Sequence, residues 1–127
     1  MMEPGIGRHL VTPPGVTKSL DSIVSFPDFT LQVIEQAAVT TVRVAGELDL
    51  AARQSVIDAF ESVGSDTRLT CIDLTEVTFI DCAGLRALFT CKEYSERHAF
   101  DMTIAVTAGP VTRLLHLLGV GQLFRTQ

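Results

Sequence analysis

Basic residues are scarce in this chain. Lys and Arg number ten against fifteen Asp and Glu, for a net charge of −5, and the ten are scattered. That balance argues against nucleic acid as a partner, because phosphate contacts need clustered cations. No apolar run approaches the roughly 20 residues that a transmembrane helix requires, so no direct membrane insertion is expected. The N-terminus carries Glu3, Arg8 and the Pro13-Pro14 pair where an export signal would have an apolar core. Cysteine is sparse and oddly numbered. Cys71, Cys82 and Cys91 lack CxxC spacing, so neither a disulfide framework nor a zinc site is indicated. With no export signal, this usage fits a reducing cytoplasm, with Cys71 and Cys91 expected as small core residues.

Catalytic signatures are missing as well. His9, His98 and His116 fall in separate elements, and no two have the i, i+4 spacing of a helical metal site. There is no GxGxxG, no P-loop and no GxSxG. Asp73 and Asp81 flank one loop, but neither a base nor a nucleophile accompanies them. The expectation is a protein that is not an enzyme, with no catalytic residue, no metal ligand and no cofactor.

What is present is a globular composition, 46% hydrophobic and 20% charged over 127 residues, which suits one domain. Residues 1–27 carry Pro4, Gly5, Gly7, Pro13, Pro14, Gly15 and Pro27 without a sustained period, and are expected as an extension outside the core. The domain is expected over 28–127. Alternating apolar positions at 29–35 and 39–45 predict a hairpin. Asp49 is placed to cap a helix whose stripe is Ala52, Val56, Ala59, Phe60 and Val63, with Gly64 as its stop. A strand follows at 69–74. A second helix over 84–98 turns Leu85, Leu88, Cys91 and Ala99 inward. A strand at 102–107 leads to Gly109-Pro110, with proline suited to the first helical position. The third helix has the stripe Val111, Leu114, Leu115 and Leu118 and ends at Gly119. One short strand at 122–125 closes the chain.

The resulting order is β-β-α-β-α-β-α-β, an α/β fold with a mainly parallel sheet and an antiparallel N-terminal hairpin. Its centre is the strand-to-helix turn at 75–88, at the carboxyl end of a strand, where open α/β sheets place function. Asp81 can accept hydrogen bonds from the first unpaired N–H groups of the second helix. Cys82, Ala83 and Gly84 are small, so the backbone can turn sharply there and another surface can come close. On local chemistry alone, a plain capped loop is the better explanation of these residues.

Three stretches occur together in order and spacing. They are Gly46-Glu47-Leu48-Asp49, then Asp73-Leu74-Thr75 running on to Phe79-Ile80-Asp81-Cys82-Ala83-Gly84-Leu85, then Arg113-Leu114-Leu115 with Gly119 and Phe124. Over residues 29–125 the chain resembles the STAS domain, the family of bacterial anti-sigma factor antagonists and of cytoplasmic modules of sulphate transporters. The resemblance implies the fold above and a binding module. In the antagonists, an anti-sigma factor of ATPase/kinase fold phosphorylates a Ser or Thr directly after the motif's Asp, and the unphosphorylated form binds that kinase. Here Cys82 follows Asp81, and Ala83 comes next. Neither can be O-phosphorylated. The resemblance thus implies an antagonist that lacks the usual acceptor, with Cys82 at the position of the family's phosphosite and a candidate for redox modification instead. The C-terminal helix common in the family is not expected before Gln127.

The implied partner surface is Asp49, Thr78, Asp81, Cys82, Ala83, Gly84 and Arg86, and the implied partner is an anti-sigma factor. Two other readings stay open: an accessory STAS subunit of a membrane transport system, and a sensor of a small ligand or nucleotide.

Overall fold

The computed structural model describes residues 22–26, 28–63 and 67–126. One sheet holds five strands in sequential order. β1 (Ser22–Phe26), β2 (Phe29–Gln36) and β3 (Val39–Leu48) pair antiparallel. β4 (Leu69–Ile80) and β5 (Asp101–Ala105) then add in parallel. The parallel steps pass through α1 (Leu50–Glu61) and α2 (Cys82–Arg97), while α3 (Pro110–Leu118) and a 3-10 turn at Gly121–Leu123 follow β5.

Alternation explains the core. Phe29, Leu31, Val33, Val42, Val44, Ile72, Leu74, Met102 and Ile104 share one sheet face and are buried, joined by Val56, Phe60, Leu88 and Cys91 from the helices. Phe60 meets Tyr94 edge-on and Phe100 at a tilt, with ring centroids 6.1 and 5.7 Å apart. Pairs of this kind add to what their buried area contributes.

Several boundaries differ from those expected. β1 lies within the span expected as an extension; it has no period to betray it and is held by pairing with β2. Residues 1–21 and the expected stop at Gly64 lie outside the described residues, and α1 is capped at Ser62, whose N–H reaches Ala59 O. β4 does not stop at residue 74. It runs on to Ile80, because β3 also continues to Leu48 and the two remain paired through two register shifts. Gly46 makes that continuation possible. It has φ +96°, and a Cβ there would lie 2.3 Å from Asp28 O, which accepts the Glu47 N–H at 2.8 Å.

Ala99, expected inward, is exposed at φ 59° just beyond the end of α2. In α3, Val111 and Leu115 are buried and Leu114 is half-buried. Leu118, expected in the same stripe, is exposed: it sits in the last turn, and the left-handed Gly119 turns the chain back before anything covers it. The closing strand at 122–125 is instead the 3-10 turn and one parallel bridge from Thr126 to Ile104. The buried Phe124 anchors it, 4.9 Å from the Phe89 ring.

Candidate partner-binding site

The carboxyl ends of β3 and β4 lie side by side, with Leu48 opposite Ile80. Each strand hands over to a helix through one aspartate. Asp49 Oδ1 accepts from the N–H groups of Ala51 (3.1 Å) and Ala52 (3.3 Å). Asp81 Oδ1 accepts from the Gly84 N–H at 2.9 Å. Both are extended residues ahead of the first helical turn, where a short acceptor side chain satisfies donors that have no partner within the helix. The two starts are tied together, since the Asp81 N–H points to the Leu48 carbonyl oxygen at 3.4 Å.

The expected surface residues divide in position. Asp49, Asp81, Cys82, Ala83 and Gly84 come together at the paired helix starts. Thr78 is exposed on β4, and Arg86 is exposed one turn along α2. Cys82 is exposed with a free thiol. Gly84 is buried, and the backbone that approaches it closely is Leu48 of the same chain. Asp73, on the same strand as Thr78, is held 3.5 Å from Arg43 Nε and accepts from the Thr75 N–H and hydroxyl, so it forms no carboxylate pair with Asp81.

Two residues escaped the sequence reading. Leu50 is 69% exposed and Phe79 is 48% exposed, both at this end of the sheet. Leu50 opens α1 on the side opposite Ala52, Val56 and Ala59, so its helical position was a usable signal. Phe79 gave none, because the register shift breaks the alternation that would have marked it. Between 45–51 and 76–83 the charged residues are Glu47, Asp49, Glu76 and Asp81, all acidic. The end of the sheet is therefore an acidic rim carrying two exposed apolar side chains, with the exposed Arg86 one turn further along α2.

The other two thiols are unlike Cys82. Burial pushes Cys91 far above the ordinary thiol value, with Glu61 adding to the shift. Burial also raises Cys71, opposed by a hydrogen bond from Thr103 and reinforced by Asp73. Neither is poised as a nucleophile. Among the described residues no cluster of His, Cys, Asp and Glu could hold a metal ion, and no helix is long and apolar enough to cross a membrane. A cleft lined by Ser95, Phe100, Thr103 and Phe124 lies towards the far end of α2 from Cys82.

The sequence pattern of the STAS domain matches residues 30–127. The chain belongs to the STAS family. Among solved structures, this STAS chain is similar to an anti-sigma factor antagonist from Mycobacterium paratuberculosis, with 27% identity and a TM-score of 0.69 over 81% of this chain and 89% of that one. It is also similar to a sulfate transporter family protein from Wolinella succinogenes, with 14% identity and a TM-score of 0.64 over 72% and 77% of the two chains. A third is the anti-sigma factor antagonist SpoIIAA in its unphosphorylated form, with 15% identity and a TM-score of 0.59 over 76% and 86%. At their identities the last two show a shared fold. No curated protein matches the sequence.

Proposed function

We propose that this STAS domain is an anti-sigma factor antagonist, a binding protein and not an enzyme. It would act in the cytoplasm on an anti-sigma factor of ATPase/kinase fold and so regulate sigma-dependent transcription. The observation that carries the reading is the 27% identity to an antagonist along 89% of that protein's length. The end of the sheet supports it: Leu50 and Phe79 offer apolar anchors beside Thr78, Cys82 and Ala83, with Glu47, Asp49, Glu76 and Asp81 around them and Arg86 as a cation at the edge. Such a surface suits a basic partner with an apolar recess.

Cys82 gives this antagonist a different control. A phosphate at that position would bring about −2 charge into the contact and disrupt it. Cysteine accepts no such O-phosphate, so the domain stays competent to bind unless the thiol is oxidised, which would add bulk at the same place.

Titration of an anti-sigma factor with the wild type and with Ala83→Arg tests the site. The variant should bind at least about tenfold more weakly while keeping its circular dichroism and unfolding midpoint. Equal affinities would place the partner elsewhere. The shared fold with a sulfate transporter family protein supports a second reading, an accessory subunit of a transport system. A pull-down separates the two, since it recovers either an ATPase-fold anti-sigma factor or a transporter subunit. Small ligand or nucleotide retained through purification would favour a sensor instead.

A further inference from the structure

Charge is not evenly spread along this chain. All fifteen acidic residues fall between Glu3 and Asp101, and none follows. The segment beyond carries Arg113, His116 and Arg125. Arg125 is committed to Asp101 at 3.3 Å. Arg113 and His116 are exposed on α3, and among the described residues neither has an ion pair. Beside them the helix shows apolar surface, with Leu117 73% exposed and Leu118 50% exposed. Leu114, half-buried, joins this strip to the core. The chain then folds back, Val120 N–H reaching Leu115 O at 3.1 Å, into the turn that carries Leu123, itself 47% exposed. Three of the six large apolar side chains that stand exposed among the described residues thus fall within seven positions, beside Arg113 and on or just after a helix that carries no carboxylate.

We propose that this outer face of α3 is a second docking surface, independent of the one at Cys82, and that it takes an acidic, apolar segment of a partner protein. Leucines at helical spacing with a cationic border are what an amphipathic segment with the opposite charge would cover. Other occupants fit less well. A second copy docked symmetrically would bring Arg113 and His116 of one α3 against those of the other, while head-to-tail docking onto the acidic remainder of the chain leaves a contact that does not close. Residues 1–21 carry Glu3 and Asp21 against Arg8 and Lys18, so they have no acidic excess to offer. At a lipid surface, a nine-residue helix whose basic side chains are Arg113 and His116 alone has little hold compared with the long basic amphipathic helices that lie there.

The test is selection from a library of random linear peptides on the full chain, with the Leu117→Ser/Leu118→Ser double variant for counter-selection. Both leucines are exposed, so the double variant should fold as the wild type does. Enriched peptides are expected to carry leucine or aromatic anchors at helical spacing with an excess of Asp and Glu. The best of them, made synthetically, should bind the wild type about tenfold more tightly than the double variant and several-fold more tightly than Arg113→Glu, and should weaken as salt rises. Ala83→Arg should leave that affinity unchanged, so this surface stands or falls separately from the anti-sigma reading. The proposal is overturned by peptides enriched equally on the double variant, or by enrichment without an acidic excess. It is also overturned by self-association, or by sedimentation with anionic phosphatidylserine vesicles, that the two serines abolish.

Discussion

A side-chain carbon on Gly84 would lie 2.2 Å from the carbonyl oxygen of Leu48 and 2.9 Å from its Cγ. The smallness of this position in the motif is a demand of the fold: the start of α2 rests directly on the end of β3. Gly84→Ala opposes two effects. Alanine improves helix propensity by about 1 kcal/mol. Against that, the new carbon presses on backbone that cannot swing aside, and overpacking typically costs about 1–3 kcal/mol. The clash should win, so urea or guanidinium unfolding should show a net loss of about 1–2 kcal/mol. An unchanged or raised midpoint would mean that β3 and α2 separate easily.

The two capping aspartates should be worth similar amounts. Asp49→Ala and Asp81→Ala each leave helix-start donors without a side-chain partner, and each should cost about 1 kcal/mol, whereas Asp81→Ser should recover most of its loss. Denaturant midpoints of the three variants check this. A cap that costs nothing to remove would show that water satisfies those donors as well as the carboxylate does.

Thiol labelling separates the three cysteines by position. In the native protein a thiol reagent should take one equivalent rapidly, at Cys82. Cys71 and Cys91 should react only at the rate of unfolding, because both are buried. Rapid uptake of two or more equivalents would contradict the packing around α2 and β4.

The buried thiols also set a direction for pH dependence. Burial raises both Cys91 and Cys71 above the ordinary thiol value, so the native state keeps protons that the unfolded chain releases from about pH 8.5 upward. Their contribution is complete below that pH and declines as pH rises, by at most about 1.4 kcal/mol per pH unit for each thiol. Cys91→Ala should lower stability at neutral pH through the cavity it leaves, yet show a shallower alkaline decline than the wild type. Parallel declines would mean that the Cys91 proton is not retained.

Where each residue meets one dominant force, the sequence was enough. The hairpin of β2 and β3, the stripe of α1 and the cap at Asp81 follow from periodicity and a single hydrogen-bond acceptor. The failures have a shared physical origin in contacts between distant segments. β1 has no period of its own and exists because β2 offers it an edge. The second half of β4 reads as a loop until β3 is seen running beside it. Leu118 belongs to an apolar stripe by spacing alone, and its exposure depends on where the chain reverses at Gly119. At the candidate site, Asp49 and Asp81 were visible as caps, but their adjacency depends on the pairing of Leu48 with Ile80. Gly84 was visible as a small residue, while the identity of its close neighbour was not.

The sequential order of the strands bears on how the chain is made. Each strand from β2 to β5 finds its neighbour among residues already synthesised, and no later strand has to insert between two earlier ones. During translation the hairpin can form first, and each crossover then lays one further strand on the open edge. The sheet can therefore grow in the direction of synthesis, without threading or rearrangement, in keeping with domains that fold from their N-terminal part as they emerge. The proposed partner surface at the starts of α1 and α2 is complete only once β4 has docked on β3 and α2 has formed. A nascent chain shorter than that would present a growing sheet edge and no binding face.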